Sequence, residues 1–245
     1  MTKKKIVKPG QFVYGAHPVL ELLKAKRRRV RTIYTTKPTP KIFKELERHF
    51  PKKPIQIQYV SRQILSNMVG TTEHQSIVAL AEPFPYRKKF FDPKKEPFIV
   101  MLDEIQDVRN LGAILRSCYC TGAHGVIISK KGGALITPAT IKASAGLAEH
   151  IPVYVAPSSA AAVQELQQAG YNLYMAAFKG ANATTVPYQK PLCLVIGSEA
   201  KGINPALLKK GTVITLPQKT SDISYNASVA AGILLFLVAN KTGSL

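Results

Sequence analysis

Acidic side chains are scarce in this chain: 14 aspartates and glutamates stand against 34 lysines and arginines, a formal net charge of +20 over 245 residues. Long apolar runs are missing too. None reaches the roughly 18 residues that a bilayer span needs, and the longest, near 229–239, reads as a buried helix. The N-terminus, Met1-Thr-Lys-Lys-Lys-Ile-Val-Lys8, has neither the apolar core of a signal peptide nor the Arg/Ser pattern of a transit peptide. Three cysteines make no disulfide framework, and Cys118 and Cys120, two apart on an expected helix, face different ways. A metal site is therefore not expected, and a reducing cytoplasm is. The five histidines, at 17, 49, 74, 124 and 150, show no metal-ligand spacing. The Gly-X-Gly-X-X-Gly fingerprint of dinucleotide sites, a Walker-type phosphate loop and a nucleophile elbow are all absent.

What is present is globular: 46% of residues are apolar and 20% charged, enough for two modest domains. The positive charge is uneven. Residues 1–96 carry 22 Lys/Arg against 7 Asp/Glu, and residues 97–245 carry 12 against 7. An excess so concentrated favours a polyanionic partner, and no amphipathic helix accompanies it to suggest a membrane surface, so nucleic acid is the expected partner.

Residues 1–82 read as a small α/β domain. Phe12-Val-Tyr-Gly15-Ala-His17-Pro18 leads into a helix with Pro near its first turn, 31–36 is β-prone, 40–50 is helical and 55–60 alternates as a strand. Ser61 caps a further helix that Gly70 ends, and 74–80 is another strand. Residues 83–97, with four prolines and five basic residues, read as a stiff basic linker. From residue 98 apolar strands alternate with helices: strands over 98–102, 125–128, 153–155, 173–176, 192–196 and 213–216, helices over 111–121, 138–148, 159–169 and 205–209, and a last helix from about 227. Short runs apolar on both faces and joined by helices predict a parallel sheet in an α/β fold.

Three polar motifs punctuate this second region. Asn110-Leu-Gly-Ala-Ile-Leu-Arg116 falls where a helix begins after a strand; Asn110 is either an N-cap or a site residue, and Arg116 is either a surface arginine or, on the buried side of an otherwise apolar helix, one that needs an anionic partner such as a phosphate. Leu192-Cys-Leu-Val-Ile196-Gly197-Ser-Glu199-Ala-Lys-Gly202 is a strand running into a small-residue loop, with Gly197 open to close backbone approach. Leu216-Pro217 is followed by Ser224-Tyr225-Asn226-Ala-Ser-Val-Ala230, a loop and a helix capped by Ser224 or Asn226.

In this order and with these gaps the motifs resemble the SpoU/TrmH family of RNA ribose 2′-O-methyltransferases, within the SPOUT superfamily, and the resemblance spans nearly the whole chain. It implies an RNA-binding domain at 1–82 and a methyltransferase domain at 98–245 with a deep C-terminal trefoil knot, an exception to the rule against knotted chains. It implies S-adenosylmethionine as cofactor, held by Ala177, Ile196, Gly197, Leu216 and Tyr225, and a catalytic set of Asn110, Arg116, Glu199, Ser224 and Asn226. Arginine stays charged in proteins, so the role expected for Arg116 is to bind the target phosphate and stabilise the developing alkoxide. The partners implied are RNA, foremost a guanosine of 23S rRNA with tRNA as the rival, and a second copy of the chain, with no metal and no membrane. A catalytically silent RNA-binding or ribosome-assembly factor is the reading from another class, and joint retention of Asn110, Arg116, Glu199, Ser224 and Asn226 argues against it. Two positions depart from the family pattern: Tyr225 stands where leucine is usual, and Ser76 follows His74-Gln75 where glycine is usual. Tyr14 and His17 are the expected RNA contacts of the first domain.

Overall fold

A computed structural model describes residues 10–219 and 224–245. The basic run Lys3-Lys4-Lys5 lies outside the described residues. The chain divides into two compact units, one of residues 1–85 with 145–150, the other of 86–144 with 151–245.

The first unit is built on four strands, β1 (Gln11–Tyr14), β2 (Val30–Thr35), β3 (Gln56–Tyr59) and β4 (Ile77–Ala81), in the order β1-β4-β2-β3. β4 runs antiparallel to both β1 and β2, while β2 and β3 are parallel. Three helices accompany them: α1 (Ala16–Ala25), α2 (Phe43–Arg48) and α3 (Arg62–Val69). Local chemistry sets the ends of α3 as the sequence predicts. The Ser61 side chain accepts from Ile64 N at 3.3 Å, and Gly70 closes the helix at φ 71°. Tyr14 is core rather than surface, 7% exposed and packed with Leu65 and Val78, which removes it from the expected RNA contacts; His17 is exposed. His74–Ser76 do not begin a strand but form a turn ahead of β4.

Residues 145–150 join this unit. Arg28 and Glu149, both buried, pair through the guanidinium Nε at 3.1 Å and a second, shorter bond, and Arg28 also donates to Gln11 and to the Glu82 carbonyl. A charge taken so far out of water needs this full set of partners. His150 and Glu21 meet at 2.8 Å.

The second unit holds six strands, β5 (Phe98–Asp103), β6 (Gly125–Ser129), β7 (Val153–Ala156), β8 (Asn172–Asn182), β9 (Leu192–Gly197) and β10 (Thr212–Thr215). All pair in parallel, in the order β10-β8-β9-β5-β6-β7. Every residue of β5 and β6 is buried, as strands covered on both faces require. The helices are α4 (Val108–Cys120), α5 (Pro138–Ala143), α6 (Ser159–Ala169), α7 (Pro205–Leu208) and α8 (Ala227–Lys241). α6 packs against β5 to β8, whereas α4, α5 and α8 form a second group, with α8 against β9. The core joins Ile99, Met101 and Ile127 to Val163, Leu166, Met175 and Val195.

The helix expected over 138–148 stops at Ala143, because Ala145 and Gly146 take φ values of 54° and 90° and turn the chain away. Residues 86–97, expected as part of a bare tether, fold onto the second unit. Phe91 is 3% exposed in its core, seated where a Cβ on Gly125 would lie 2.1 Å from the ring. Arg87 donates its backbone N–H to Val153 and grips Glu96 through both terminal nitrogens, at 2.6 and 2.9 Å. Burial of an aromatic ring and a two-pronged ion pair hold the segment in spite of its prolines.

Candidate active site

In a parallel sheet all strands end on one edge, and ligands bind where the strand order reverses. Here the chain passes outward from β5 to β6 and β7, then returns to build β8, β9 and β10 on the other side of β5. The reversal lies between β5 and β9, whose last residues, Asp103 and Gly197, are register partners. The first two motifs follow directly from these two strands.

α4 begins earlier than the sequence suggests. Asp107 is its N-cap, accepting from Arg109 N at 2.7 Å, and Asn110 lies inside the first turn. Asn110 is therefore not the cap. Its side-chain amide donates across the reversal point to Glu199 Oε1, joining two motifs 89 residues apart in the chain. Glu199 sits at the tip of a tight turn closed by Ser198 N to Gly202 O at 3.1 Å and Gly202 N to Ser198 O at 2.9 Å. That turn explains Gly197 in a way the sequence did not. A Cβ there would lie 2.1 Å from the carbonyl carbon of Gly202 and 2.2 Å from Ile203 N, so the glycine is required by the loop's own backbone.

Asp103, which the sequence reading passed over, anchors the same loop: it is 3% exposed, and its Oδ2 accepts from Asn204 N at 2.9 Å. Its signal was a single carboxylate closing the apolar run of β5. A cleft of about 340 Å³ opens beside it, lined by Asp103, Glu104, Ser198, Lys201, Gly202 and Asn204 together with Pro205.

Arg116 is exposed, the surface alternative of the two the sequence left open, because Leu111, Ile114, Leu115 and Cys118 define the buried stripe of α4 and residue 116 falls off it. It makes no hydrogen bond or ion pair among the described residues. It follows Asn110 by six positions, roughly 9 Å along the axis and about 120° round it, so the two start from different faces of α4. Asn226 is the N-cap of α8; its Oδ1 accepts from Ser228 N at 2.9 Å and from the Ser228 hydroxyl at 2.6 Å. Ser224 and Tyr225 are exposed, Tyr225 to 45%. Ile196 is buried at the end of β9, Leu216 follows β10 half-buried, and half-buried Ala177 lies one residue past the pairing of Ala176 with Ile196. β8 runs well beyond the expected 173–176, and between Met175 and Ala181 its register with β10 slips, so that residues 176–180 bulge outward with Phe178 63% exposed.

Ala177, Ile196, Gly197, Leu216 and Tyr225 include no charged side chain that would repel a cationic sulfonium, and Ile196 and Leu216 offer apolar surface to a purine. The residues present thus fit an adenosyl cofactor. None of Ala177, Ile196, Leu216 and Tyr225 lines the 340 Å³ cleft. Among the described residues no group of His, Cys, Asp or Glu could hold a metal ion.

The crevice between β5 and β9 is that of an open-sheet α/β ligand-binding domain. The SpoU rRNA Methylase family matches residues 97–236, and the family described as RNA 2′-O ribose methyltransferase substrate binding matches residues 12–87. The chain belongs to the SpoU family of RNA methyltransferases. It is 34% identical to YacO of Bacillus subtilis (strain 168), a protein assigned to the TrmH family of tRNA/rRNA methyltransferases, over 94% of this chain and 95% of that one. It is 29% identical to the 23S rRNA (guanosine-2′-O-)-methyltransferase RlmB of Yersinia pestis, over 96% and 98%. Among solved structures, the SpoU methyltransferase AviRb of Streptomyces viridochromogenes in complex with AdoMet shares its fold at a TM-score of 0.80 and 24% identity, covering 96% of this chain and 91% of that one.

Proposed function

We propose that this protein transfers the methyl group of S-adenosylmethionine to a ribose 2′-OH of structured RNA, and that the target is a guanosine of 23S rRNA. The observation that carries the reading is the Asn110–Glu199 hydrogen bond, which ties the first and second motifs together over the point of strand reversal. The choice of rRNA over tRNA is supported by the full-length likeness to RlmB and by the substrate-binding family match at the N-terminus. Residues 1–82 serve as the RNA-binding part and 98–245 as the catalytic part, acting in the cytoplasm, and the C-terminal trefoil knot is part of this reading.

The bound cofactor supplies the methyl group. Ala177, Ile196, Leu216 and Tyr225 would hold its adenosyl part, and Gly197 keeps the neighbouring turn tight enough to present Glu199. Glu199, held by Asn110, fixes the loop between β9 and α7. The guanidinium of Arg116 engages the phosphate beside the target ribose and stabilises charge as the 2′-oxygen loses its proton to phosphate or water. Ser224 and the amide nitrogen of Asn226, whose oxygen is occupied by the helix cap, face the ribose.

Arg116 and Asn110 diverge within one chain, which favours a homodimer in which one protomer's arginine completes its partner's site. The face available for it is apolar. Val229, Ile233 and Phe236, at helical spacing along α8, are 50%, 38% and 57% exposed, and Tyr119 on the adjoining α4 is 45% exposed. Isothermal calorimetry tests the cofactor, and methyl transfer from labelled S-adenosylmethionine to a 23S rRNA fragment tests the reaction. Micromolar binding without added metal and label in the RNA are expected; folded protein that binds no cofactor would refute the reading.

A further inference from the structure

One end of the four-stranded sheet collects exposed side chains that methyl transfer leaves unused. The parallel strands β2 and β3 finish there at Thr35 and Tyr59, and β4 starts there at Ile77. Tyr59 is 49% exposed, and the exposed Lys37, two residues past β2, holds its ammonium 4.4 Å from the ring centroid. Only Val60 and Ser61 separate Tyr59 from Arg62, the first residue of α3, which is exposed. Among the described residues the Arg62 guanidinium has one partner: its Nε donates to Ser76 Oγ at 3.2 Å. The terminal nitrogens remain open to a ligand.

Ser76 occupies a backbone position suited to glycine. Its φ is 61°, and Gln75 before it is at 52°. A residue with a Cβ is disfavoured there, and strain of this kind persists where the surroundings fix it and function uses it. The turn is held from all sides: Ser76 N donates to His74 Nδ1 at 3.0 Å, His74 Nε2 meets Ser66 Oγ at 3.1 Å, Gln75 Oε1 accepts from Ala16 N at 3.0 Å, and Thr35 Oγ1 donates to the Ser76 carbonyl at 2.9 Å. A glycine would take this turn without strain. What the serine adds is the hydroxyl that orients Arg62.

We infer that Lys37, Tyr59 and Arg62 form a docking site for an unpaired stretch of the RNA substrate, with a base stacked on Tyr59, its phosphates on Arg62 and Lys37, and Ser76 positioning Arg62. The inference rests on the reading of residues 1–82 as the RNA-binding part. The chemistry selects the ligand. An exposed ring with the Lys37 ammonium at one face and Arg62 three residues on along the chain suits a planar base on a polyanionic chain, and the face of a base is open to stacking only where the RNA is unpaired. The basic excess of the first 96 residues, 22 Lys/Arg against 7 Asp/Glu, supplies the long-range attraction.

The test is fluorescence anisotropy of the full chain with a short labelled single-stranded RNA and, in parallel, a labelled duplex, across a salt series. Tyr59→Ala should weaken single-strand binding about 5- to 150-fold, the equivalent of 1–3 kcal/mol for one stacked base, while Tyr59→Phe stays near the original. Arg62→Ala should flatten the slope of log affinity against log salt by about 0.7, one phosphate contact on a single strand. Ser76→Ala should weaken binding when Arg62 is present and change nothing further in an Arg62→Ala background, a non-additivity that a purely structural serine would not give. Ser76→Gly, which also relieves the left-handed backbone, makes the same comparison where Ser76→Ala unfolds. If the original protein binds neither RNA, the reading of residues 1–82 falls, and this inference with it. If the original binds and Tyr59→Ala and Arg62→Ala bind equally well, the inference alone is overturned; equal losses on duplex and single strand would overturn the stacked base.

Discussion

Arg116→Ala should separate catalysis from folding. The side chain is exposed and has no hydrogen-bond or ionic partner among the described residues, so its removal leaves no buried group unsatisfied. Exposed substitutions away from such features stay within about 0.5 kcal/mol, and in a protein of this size that moves the melting temperature by roughly 1–2 °C. Its proposed work, on the target phosphate and the alkoxide forming on the ribose, is done only once RNA is bound. Loss of one preorganised electrostatic group of this kind costs about 100- to 1,000-fold in rate, or roughly 2.7–4 kcal/mol. Single-turnover transfer of labelled methyl groups to a 23S rRNA fragment should therefore fall by that factor, with cofactor affinity by calorimetry within a few fold of the original. Arg116→Lys should recover little, because a point charge does not reproduce the planar fork. Near-normal turnover by Arg116→Ala would refute the assignment. So would a melting point lowered by ten degrees or so, far above the roughly 2–4 °C per kcal/mol that a small surface loss produces, since Arg116 would then be structural.

Gly197→Ala should lower the melting temperature and cofactor affinity together, since its Cβ would meet the backbone of Gly202 and Ile203 at 2.1–2.2 Å; overpacking costs about 1–3 kcal/mol, and scanning calorimetry beside cofactor titration reads both effects. Phe236→Glu, at a position 57% exposed on α8, should leave the protomer folded but give a monomer by light scattering with methylation much reduced; an original protein that is monomeric and fully active would contradict the dimer. Of the three cysteines, Cys120 alone is exposed, while burial pushes the Cys118 and Cys193 thiols far above their usual range. A thiol reagent at neutral pH should thus modify one cysteine in the native protein and three after denaturation; rapid native labelling of Cys118 or Cys193 would contradict their packing.

The sequence made the central strands plain because apolar runs such as Phe98-Ile-Val-Met-Leu102 and Leu192-Cys-Leu-Val-Ile196 have no stable place outside a sheet covered on both faces. Ser61 and Gly70 were equally legible, since capping hydroxyls and left-handed glycines act locally. Legibility failed where the cause was distant. The φ of 54° at Ala145 leaves no mark in composition, so α5 looked longer than it is. The extension of β8 to Asn182 was hidden by its polar residues Lys179 and Asn182. Asp103 and Asn204 lie 101 residues apart, beyond any local pattern. Arg116 is a different case: the helical period of Leu111, Ile114, Leu115 and Cys118 already places residue 116 off the buried stripe, so its exposure could have been read from spacing alone. The Asn110–Glu199 contact needed the sheet order, which brings β9 beside β5 across the intervening strands.

Mapping 2′-O-methylation across total RNA from cells with and without the gene tests most directly whether this chain methylates a ribose of 23S rRNA. One guanosine of 23S rRNA should carry the mark only when the gene is present, with tRNA unchanged, and the mark should be restored by the original protein but not by Arg116→Ala. Identical maps, or a difference confined to tRNA, would contradict it.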